Sequence, residues 1–182
     1  FEARGSEMFK EDWIRFGETP DEGDYYIAVD LAGFEDINKK RTKNTKLDET
    51  AIAVAKVSPN GWHVENIIHG RWELNETAMK IFQAVRAVMS PLTDLMKRYG
   101  QFFRIEELTH GNKKKTDRVM WALQGRFENG YIQINKGEWN NRFLDQLFQF
   151  PDVLTHDDLV DALAYIDQLA QVAYDYEYEI DD

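Results

Sequence analysis

The sequence contains no cysteine. Disulfide bonds, thiolate zinc sites and a cysteine nucleophile are therefore excluded, and any metal ion would be held by oxygen or imidazole ligands. The chain also has no apolar run near the roughly 20 residues needed to cross a bilayer, so no membrane partner is expected. The phosphate-cradling loop G-x-x-x-x-G-K-[ST] does not occur either, so the sequence offers no P-loop nucleotide-binding site.

Basic residues are outnumbered, with 22 Lys and Arg against 33 Asp and Glu, and the formal net charge is −11. Such a chain is not a general nucleic-acid coat protein, because phosphate contacts require Lys and Arg. A single run of charge is usually a solvated loop, but two basic patches in an acidic chain favour phosphate contact or the docking of another domain. The candidate DNA-binding residues are Lys39, Lys40, Arg41, Lys43 and Lys46 in the first patch and Lys113, Lys114, Lys115 and Arg118 in the second.

Hydrophobic residues make up 43% of the chain and include five Trp and eleven Phe, enough for one sizeable core. A short amphipathic lead-in is predicted over residues 8–18 from the spacing of its aromatic residues. A buried strand is predicted over residues 25–29, followed by a hairpin over residues 50–72 and then by alternating helices and strands. These are a helix over residues 75–89 with Asn75 as its N-cap, a helix after Pro91, a strand over residues 102–108, a helix over residues 116–130, a short strand, a helix over residues 140–150 ended by Pro151, and a final helix from Thr155 to about Tyr174. The pattern predicts a mixed α/β sheet flanked by helices. Four tryptophans in periodic apolar contexts are predicted to be core residues: Trp62, Trp72, Trp121 and Trp139.

The stretch VLTHDDLVDALAYIDQL at residues 153–169 places acids at the start of a predicted helix. Asp157 and Asp158 lie four and three residues before Asp161, so the carboxylates can converge on one helix face. Such like charges repel, and a divalent cation is the usual remedy. Hard oxygen ligands point to magnesium or manganese. The alternative is a structural role, with Thr155 and Asp158 in a capping pattern and acids favoured by the helix dipole.

Asp30 ends the first predicted strand, which has the character of a central strand. A lone Asp before Leu-Ala-Gly is by itself an ordinary turn residue. An acid at the end of the first strand together with an acid cluster on the last helix is, however, how several metal nucleases build a site from distant sequence. His156 is interpreted as a hydrogen-bonding residue at the helix start.

Three stretches carry a resemblance to a known family: YYIAVDLAG, KKKTDRVMWALQGRFENGYIQIN and FPDVLTHDDLVDALAYIDQL. In order and content they resemble the C-terminal nuclease domain of the large terminase subunit of tailed bacteriophages. The resemblance covers nearly the whole chain, and HDDLVDAL after a Phe-Pro break is its most specific part. It implies a ribonuclease H-like fold related to Holliday-junction resolvases, whose closing Asp-x-x-Asp-Ala pattern matches Asp158 and Asp161.

The resemblance implies a metal-dependent endonuclease that cuts concatemeric viral DNA during genome packaging. Asp30, Asp158 and Asp161 would be catalytic and, with Asp157, would bind two Mg²⁺ or Mn²⁺ ions. The implied partners are double-stranded DNA, the terminase ATPase domain, the portal and the small terminase subunit, in the cytoplasm of an infected bacterium. Residues 24–174 would form the nuclease domain, residues 1–23 the remnant of a linker from the ATPase domain, and residues 175–182 an acidic flexible tail.

The sequence departs from the family in one place. The family pattern has a further strand after the first long helix, and this strand carries an Asp or Glu that bridges the metals. The sequence has no such strand between Ala87 and Val88, and omission of residues there is favoured over deletion because both flanks fit the family. Glu106 and Glu107 are weak substitutes, so the bridging acid is unassigned. The alternative functions are a Holliday-junction resolvase or recombinase-like nuclease, and a non-catalytic DNA-binding or assembly module.

Overall fold

The computed structural model describes residues 8–32, 49–89, 108, 114–152 and 156–180, with side chains on the last helix described as far as residue 171. The predicted helix after Pro91 and the first basic patch lie outside these ranges. Of the predicted strand over residues 102–108, only Leu108 lies inside them. No helix in the described ranges is both long and apolar enough to cross a membrane.

Within these ranges, four strands form one sheet in the order β1-β2-β3-β4. The strands are β1 (Asp24–Asp30), β2 (Thr50–Ser58), β3 (Gly61–Gly70) and β4 (Ile132–Ile134). The first three are antiparallel neighbours, and β4 runs parallel to β3. The predicted hairpin is confirmed: Ser58 pairs with Gly61 across a two-residue turn, where Gly61 adopts a positive φ of 133° that favours glycine.

Helices flank the sheet. They are α1 (Leu74–Met89); α2, which comprises Lys115–Val119, a π-helical stretch Met120–Gln124 and Gly125–Glu128; α3 (Asn140–Gln149); and α4 (Asp158–Ile180). Alternation along β2 sends Ala51, Ala53 and Ala55 to the face that α4 covers, and Ile52 and Val54 to the face toward α1. The alanines let α4 approach closely. The fold is therefore a mixed four-stranded sheet between helices, as the sequence predicts.

The N-terminal segment packs on the core of this domain. A single 3₁₀ turn, Glu11–Trp13, replaces the amphipathic lead-in expected from the spacing of its aromatic residues. Phe9 is buried with its ring centroid 6.0 Å from that of Phe127, and Phe16 forms a parallel bridge with Ile134. Residues 8–20 thus cover part of the core and extend the β4 edge of the sheet.

Three expectations from the sequence are corrected. Trp62 and Trp139 are buried and Trp72 is partly buried, but Trp121 is 79% exposed, because α2 presents its other face to the core. The helix after β3 begins at Leu74, so Asn75 lies inside its first turn and does not cap it. The last helix continues to Ile180, beyond the expected end near Tyr174.

The position of β1 also differs from expectation. In the described part of the chain β1 is an edge strand that pairs with β2, although its sequence has the character of a central strand. Helix α1 passes through Ala87 and Val88 without interruption and ends at Met89. No described strand carrying an acid therefore lies beside Asp30, and Glu106 and Glu107 fall outside the described residues.

Candidate active site

Asp30 is the last residue of β1 and lies on the face of the sheet that α4 covers. Its cross-strand partner is Ala51, a core residue, and Ala51 pairs on its other side with His69. Burial raises the pKa of Asp30 to about 8, with a further contribution from the carboxylate of Asp161 and an opposing one from the ammonium of Lys115. The carboxylates of Asp158 and Asp157 raise this pKa further. The structure therefore brings acids separated by more than a hundred residues within electrostatic range.

The first turn of α4 holds the remaining acids. Asp157 precedes the helix and its carbonyl oxygen accepts the N–H of Asp161 at 2.8 Å, while Asp158 and Asp161 lie in the first turn and are buried. The N–H of Leu159 is bound at 2.9 Å by Oε1 of the buried Gln146 on α3. Because a neighbouring helix satisfies this N–H, capping alone does not explain why so many acids stand here.

Two cations from α2 reach into the acid cluster. Nζ of Lys115 donates to Oδ1 of Asp157 at 2.7 Å and lies 3.4 Å from Oδ2 of Asp161. Burial lowers the pKa of Lys115, but attraction to Asp161 and the hydrogen bond to Asp157 outweigh burial, so the pKa is raised overall. The buried guanidinium of Arg118 donates to Asp161 and stacks 4.6 Å from the ring centroid of Tyr165. Burial, and then the Asp161 carboxylate, raise the pKa of Tyr165 to about 12.

A second set of partners approaches Asp158 from the strand side. The backbone N–H of Glu49 donates to Oδ2 of Asp158 at 3.0 Å, and Nδ1 of His156 lies 3.9 Å from the same oxygen. Oε2 of Glu49 in turn lies 3.3 Å from Nδ1 of His69 and 3.2 Å from Nη2 of Arg142. Sequence reasoning missed Glu49 and its partners, and no local signal could have found them, since they come from three elements far apart in sequence.

The chain matches the family model described as "Terminase RNaseH-like domain" over residues 23–167. The chain belongs to this family. The match includes Asp30 and all three acids at the start of α4. No curated protein sequence matches the chain.

Solved structures share the fold. The Mn-soaked, inhibitor-bound human cytomegalovirus terminase nuclease domain superposes with a TM-score of 0.58 at 13% identity, over 89% of this chain and 94% of that one. A second structure of the human cytomegalovirus terminase nuclease domain gives a TM-score of 0.52 at 16% identity, over 80% and 82% of the two chains. The large terminase from a thermophilic bacteriophage gives 0.48 at 10% identity, over 88% of this chain and 44% of that one. On the two cytomegalovirus structures, this terminase domain has the fold of a terminase nuclease domain.

The donor set of this terminase domain suits a hard divalent cation in its chemistry. Mutually repelling carboxylates, half-buried on β1 at Asp30 and buried on α4 at Asp158 and Asp161, supply oxygen ligands of the kind that Mg²⁺ and Mn²⁺ prefer. Among the described residues, no three His, Asp or Glu side chains converge on one point closely enough to enclose a metal ion. Lys115 and Arg118 instead bind the oxygens of Asp157 and Asp161.

The predicted DNA-binding residues are described only in part. Lys114 is exposed at the start of α2, and Lys115 is partly exposed but bound to the acids. Arg118 is buried, a position that disfavours its predicted contact with DNA. The other predicted DNA-binding residues lie outside the described residues: Lys39, Lys40, Arg41, Lys43, Lys46 and Lys113. The capping candidate Thr155 also lies outside them.

Proposed function

We propose that this terminase domain is a divalent-metal-dependent DNA endonuclease that hydrolyses phosphodiester bonds when concatemeric viral DNA is cut during packaging. The observation that carries the proposal is that Asp30 on β1 lies within electrostatic range of Asp158 and Asp161 on α4, inside a family of terminase domains. Mg²⁺ or Mn²⁺ is the proposed cofactor, and the Mn-soaked cytomegalovirus domain of the same fold supports that choice.

The residues would act mainly by position and charge. Asp30, Asp158 and Asp161, with Asp157 beside them, would hold the cation, which supplies charge stabilisation and an activated water when bound. The Glu49 N–H fixes one oxygen of Asp158, and Arg118 fixes one oxygen of Asp161. Carboxylates held in this way keep their orientation when the substrate arrives, so reorganisation during the reaction is small.

The proposed substrate is double-stranded DNA, guided by contacts to phosphate that carry no sequence information. Exposed Lys114 supports such a path next to the acids, and the basic residues 39–46 remain a prediction for the same role. The ATPase domain of the same large subunit, the portal and the small subunit are the proposed partners, in the cytoplasm of the bacterial host.

Plasmid cleavage in the presence of Mn²⁺ or Mg²⁺ tests the function. We expect nicking and linearisation by the 182-residue chain, and loss of both in Asp30→Ala and Asp158→Ala. Asp145→Ala, which removes an exposed acid from α3, is the matched control and should cleave normally. Persistent cleavage by either site variant would reject the proposed centre. A preference for branched over linear duplexes would favour a resolvase instead.

A further inference from the structure

We infer that Arg142 on α3 binds a backbone phosphate of duplex DNA beside the cleavage site, and that Glu49 positions it. The inference rests on the proposed function and deepens it by naming a substrate contact outside both predicted basic patches. Arg142 is then a substrate-binding residue. Glu49 is a positioning residue, because it acts on the substrate only through Arg142.

Glu49 joins Arg142 to the acid cluster. Its backbone N–H donates to Oδ2 of Asp158 at 3.0 Å, and its Oε2 lies 3.2 Å from Nη2 of Arg142. The guanidinium is therefore separated from a proposed metal ligand by the length of a single residue. A DNA strand that places one phosphate at Asp158 brings a neighbouring phosphate within reach of this arginine.

The packing of α3 directs Arg142 to this place. Arg142 and Gln146 lie four residues apart, so they share one face of the helix. Oε1 of Gln146 accepts the N–H of Leu159 at 2.9 Å, which fixes that face against the start of α4. Gln146 is buried whereas the Arg142 side chain is 44% exposed, so the shared face passes from the interior to solvent beside Asp158.

The contact with Glu49 leaves the guanidinium able to bind a ligand. Oε2 of Glu49 is buried and, within the described ranges, accepts no hydrogen bond of good geometry, although Arg142 and His69 are near. The contact is thus an ion pair that holds the guanidinium by charge without using its N–H groups. A planar guanidinium presents these groups as a fork that matches two oxygens of one phosphate.

Arg126 at the end of α2 shows how a structural arginine of this domain is held. It lies 2.9 Å from the carboxylate of Asp167 and donates to the carbonyl oxygen of Ala122 at 2.7 Å. Its guanidinium also stacks 4.5 Å from the ring centroid of Trp62, at the start of β3. Arg126 is thus engaged on three sides, whereas Arg142 has one carboxylate contact among the residues that the structure describes.

A charge-matched double variant, Glu49→Gln/Arg142→Met, tests the inference. It removes one acid and one base, so the net charge is unchanged, and it keeps the Glu49 backbone N–H that binds Asp158. If Arg142 only neutralised Glu49, the double variant would bind DNA as the wild type does. If Arg142 contacts a phosphate, the variant loses that contact.

Binding is measured by fluorescence anisotropy with a fluorescein-labelled DNA duplex, in Ca²⁺ and over a series of salt concentrations, and a gel checks that the DNA stays intact. The double variant should bind about 10-fold more weakly than the wild type. The slope of log K against log salt should become shallower by about 1, because one phosphate contact is lost. Arg142→Lys should keep the wild-type slope, since an ammonium also neutralises one phosphate. The control Arg126→Met/Asp167→Asn, which removes the other ion pair, should match the wild type in affinity and slope.

Wild-type affinity and slope in the double variant would overturn the inference, as would an equal loss in the control pair. Absence of measurable binding by the wild type at low salt would also overturn it. If the double variant does not fold, Arg142→Met is compared with Arg126→Met, which changes the net charge equally. Equal effects of these two substitutions on the slope would reject a contact specific to Arg142.

The outcome is separable from that of the proposed function. If the slope changes as expected but the wild type does not cut plasmid DNA with Mn²⁺ or Mg²⁺, the Arg142 contact stands and the nuclease function fails. If the wild type cuts DNA and the double variant binds with an unchanged slope, the nuclease function stands and the Arg142 contact fails.

Discussion

Strands β1, β2 and β3 carry ionisable side chains at both ends, but the surroundings of these side chains differ between the two ends. At one end Tyr25, Lys56 and His63 form a cross-strand row, and at the other Asp30 pairs through Ala51 with His69. We refer to these as the anchor row and the acid row. In the anchor row, Lys56 and His63 contact oxygen atoms within the fold. Around Asp30 in the acid row, the carboxylates outnumber the cations among the described residues.

The anchor row binds the N-terminal segment. Nζ of the buried Lys56 donates to the carbonyl oxygens of Pro20 at 2.7 Å and Asp21 at 3.0 Å. The ring nitrogens of His63 lie 2.7 Å from the Glu65 carboxylate and 2.7 Å from the carbonyl oxygen of Gly17. Buried charge is thus used for attachment at one end, while at the other end, by the proposed function, the carboxylates of β1 and α4 hold a cation. Substitutions at the two ends should therefore differ in how far divalent metal ions change their effect on the unfolding free energy.

Arg118→Met should have the largest effect on stability. It leaves the buried Asp161 without its guanidinium partner, and breaking a buried ion pair from one side costs about 3–5 kcal/mol of unfolding free energy. Urea denaturation in EDTA measures this loss, and added Mg²⁺ or Mn²⁺ should recover part of it because the carboxylate gains a new cation. An equal loss with and without metal would mean that Asp161 does not bind the ion.

Asp30→Asn should instead raise the unfolding free energy of the metal-free protein. The folded pKa of Asp30 is raised to about 8, so between pH 4 and pH 8 the folded state keeps a proton that the unfolded state has released. The stability of the wild type therefore falls as pH rises through this window. The stability of the variant should not show this fall, because asparagine does not ionise.

The gain for Asp30→Asn near pH 8 is expected to be on the order of 1–3 kcal/mol after allowance for solvent screening. Thermal denaturation at pH 5 and pH 8 in EDTA measures it, with Asp145→Asn as the control for an exposed acid. A gain that does not increase with pH would contradict the raised pKa. The stabilised variant should nevertheless be unable to cleave DNA.

Lys56→Met tests the anchor row. Loss of two hydrogen bonds from a buried ammonium to backbone carbonyls should lower the unfolding free energy by about 1–2 kcal/mol. Unlike Arg118→Met, this loss should be the same with and without divalent ions, and the specific cleavage rate of the folded variant should be unchanged. Recovery of stability by Mg²⁺ would remove the distinction between the two rows.

Thr19→Val should have the smallest effect. Its hydroxyl donates to Oε2 of Glu65 at 2.7 Å in an exposed position, where water can replace the lost bond. We expect a change in unfolding free energy of about 0.5 kcal/mol or less, measured beside Lys56→Met in the same urea series. A larger loss would show that attachment of the N-terminal segment depends on this contact as well.

Most of the local structure followed from sequence patterns. β-rich apolar stretches predicted β1 and the β2–β3 hairpin, apolar periodicity predicted the helices, and Pro151 marked the end of α3. Trp121 was wrongly assigned to the core because an apolar neighbourhood does not tell which face of a helix meets the sheet. Its exposure follows from the packing of Val119, Ala122 and Phe127.

The sequence by itself determined the kind of chemistry available: oxygen ligands without thiolates, acids at a strand end and a helix start, and membership of a terminase family. Spacing of three and four residues on one helix is a local property, so the convergence of the α4 acids could be read directly. Only the tertiary structure decided that Lys115 and Arg118 enter the acid cluster and that Glu49 binds Asp158. These contacts join residues far apart in the chain, and they depend on how α2, β2 and α4 pack, which no local pattern specifies.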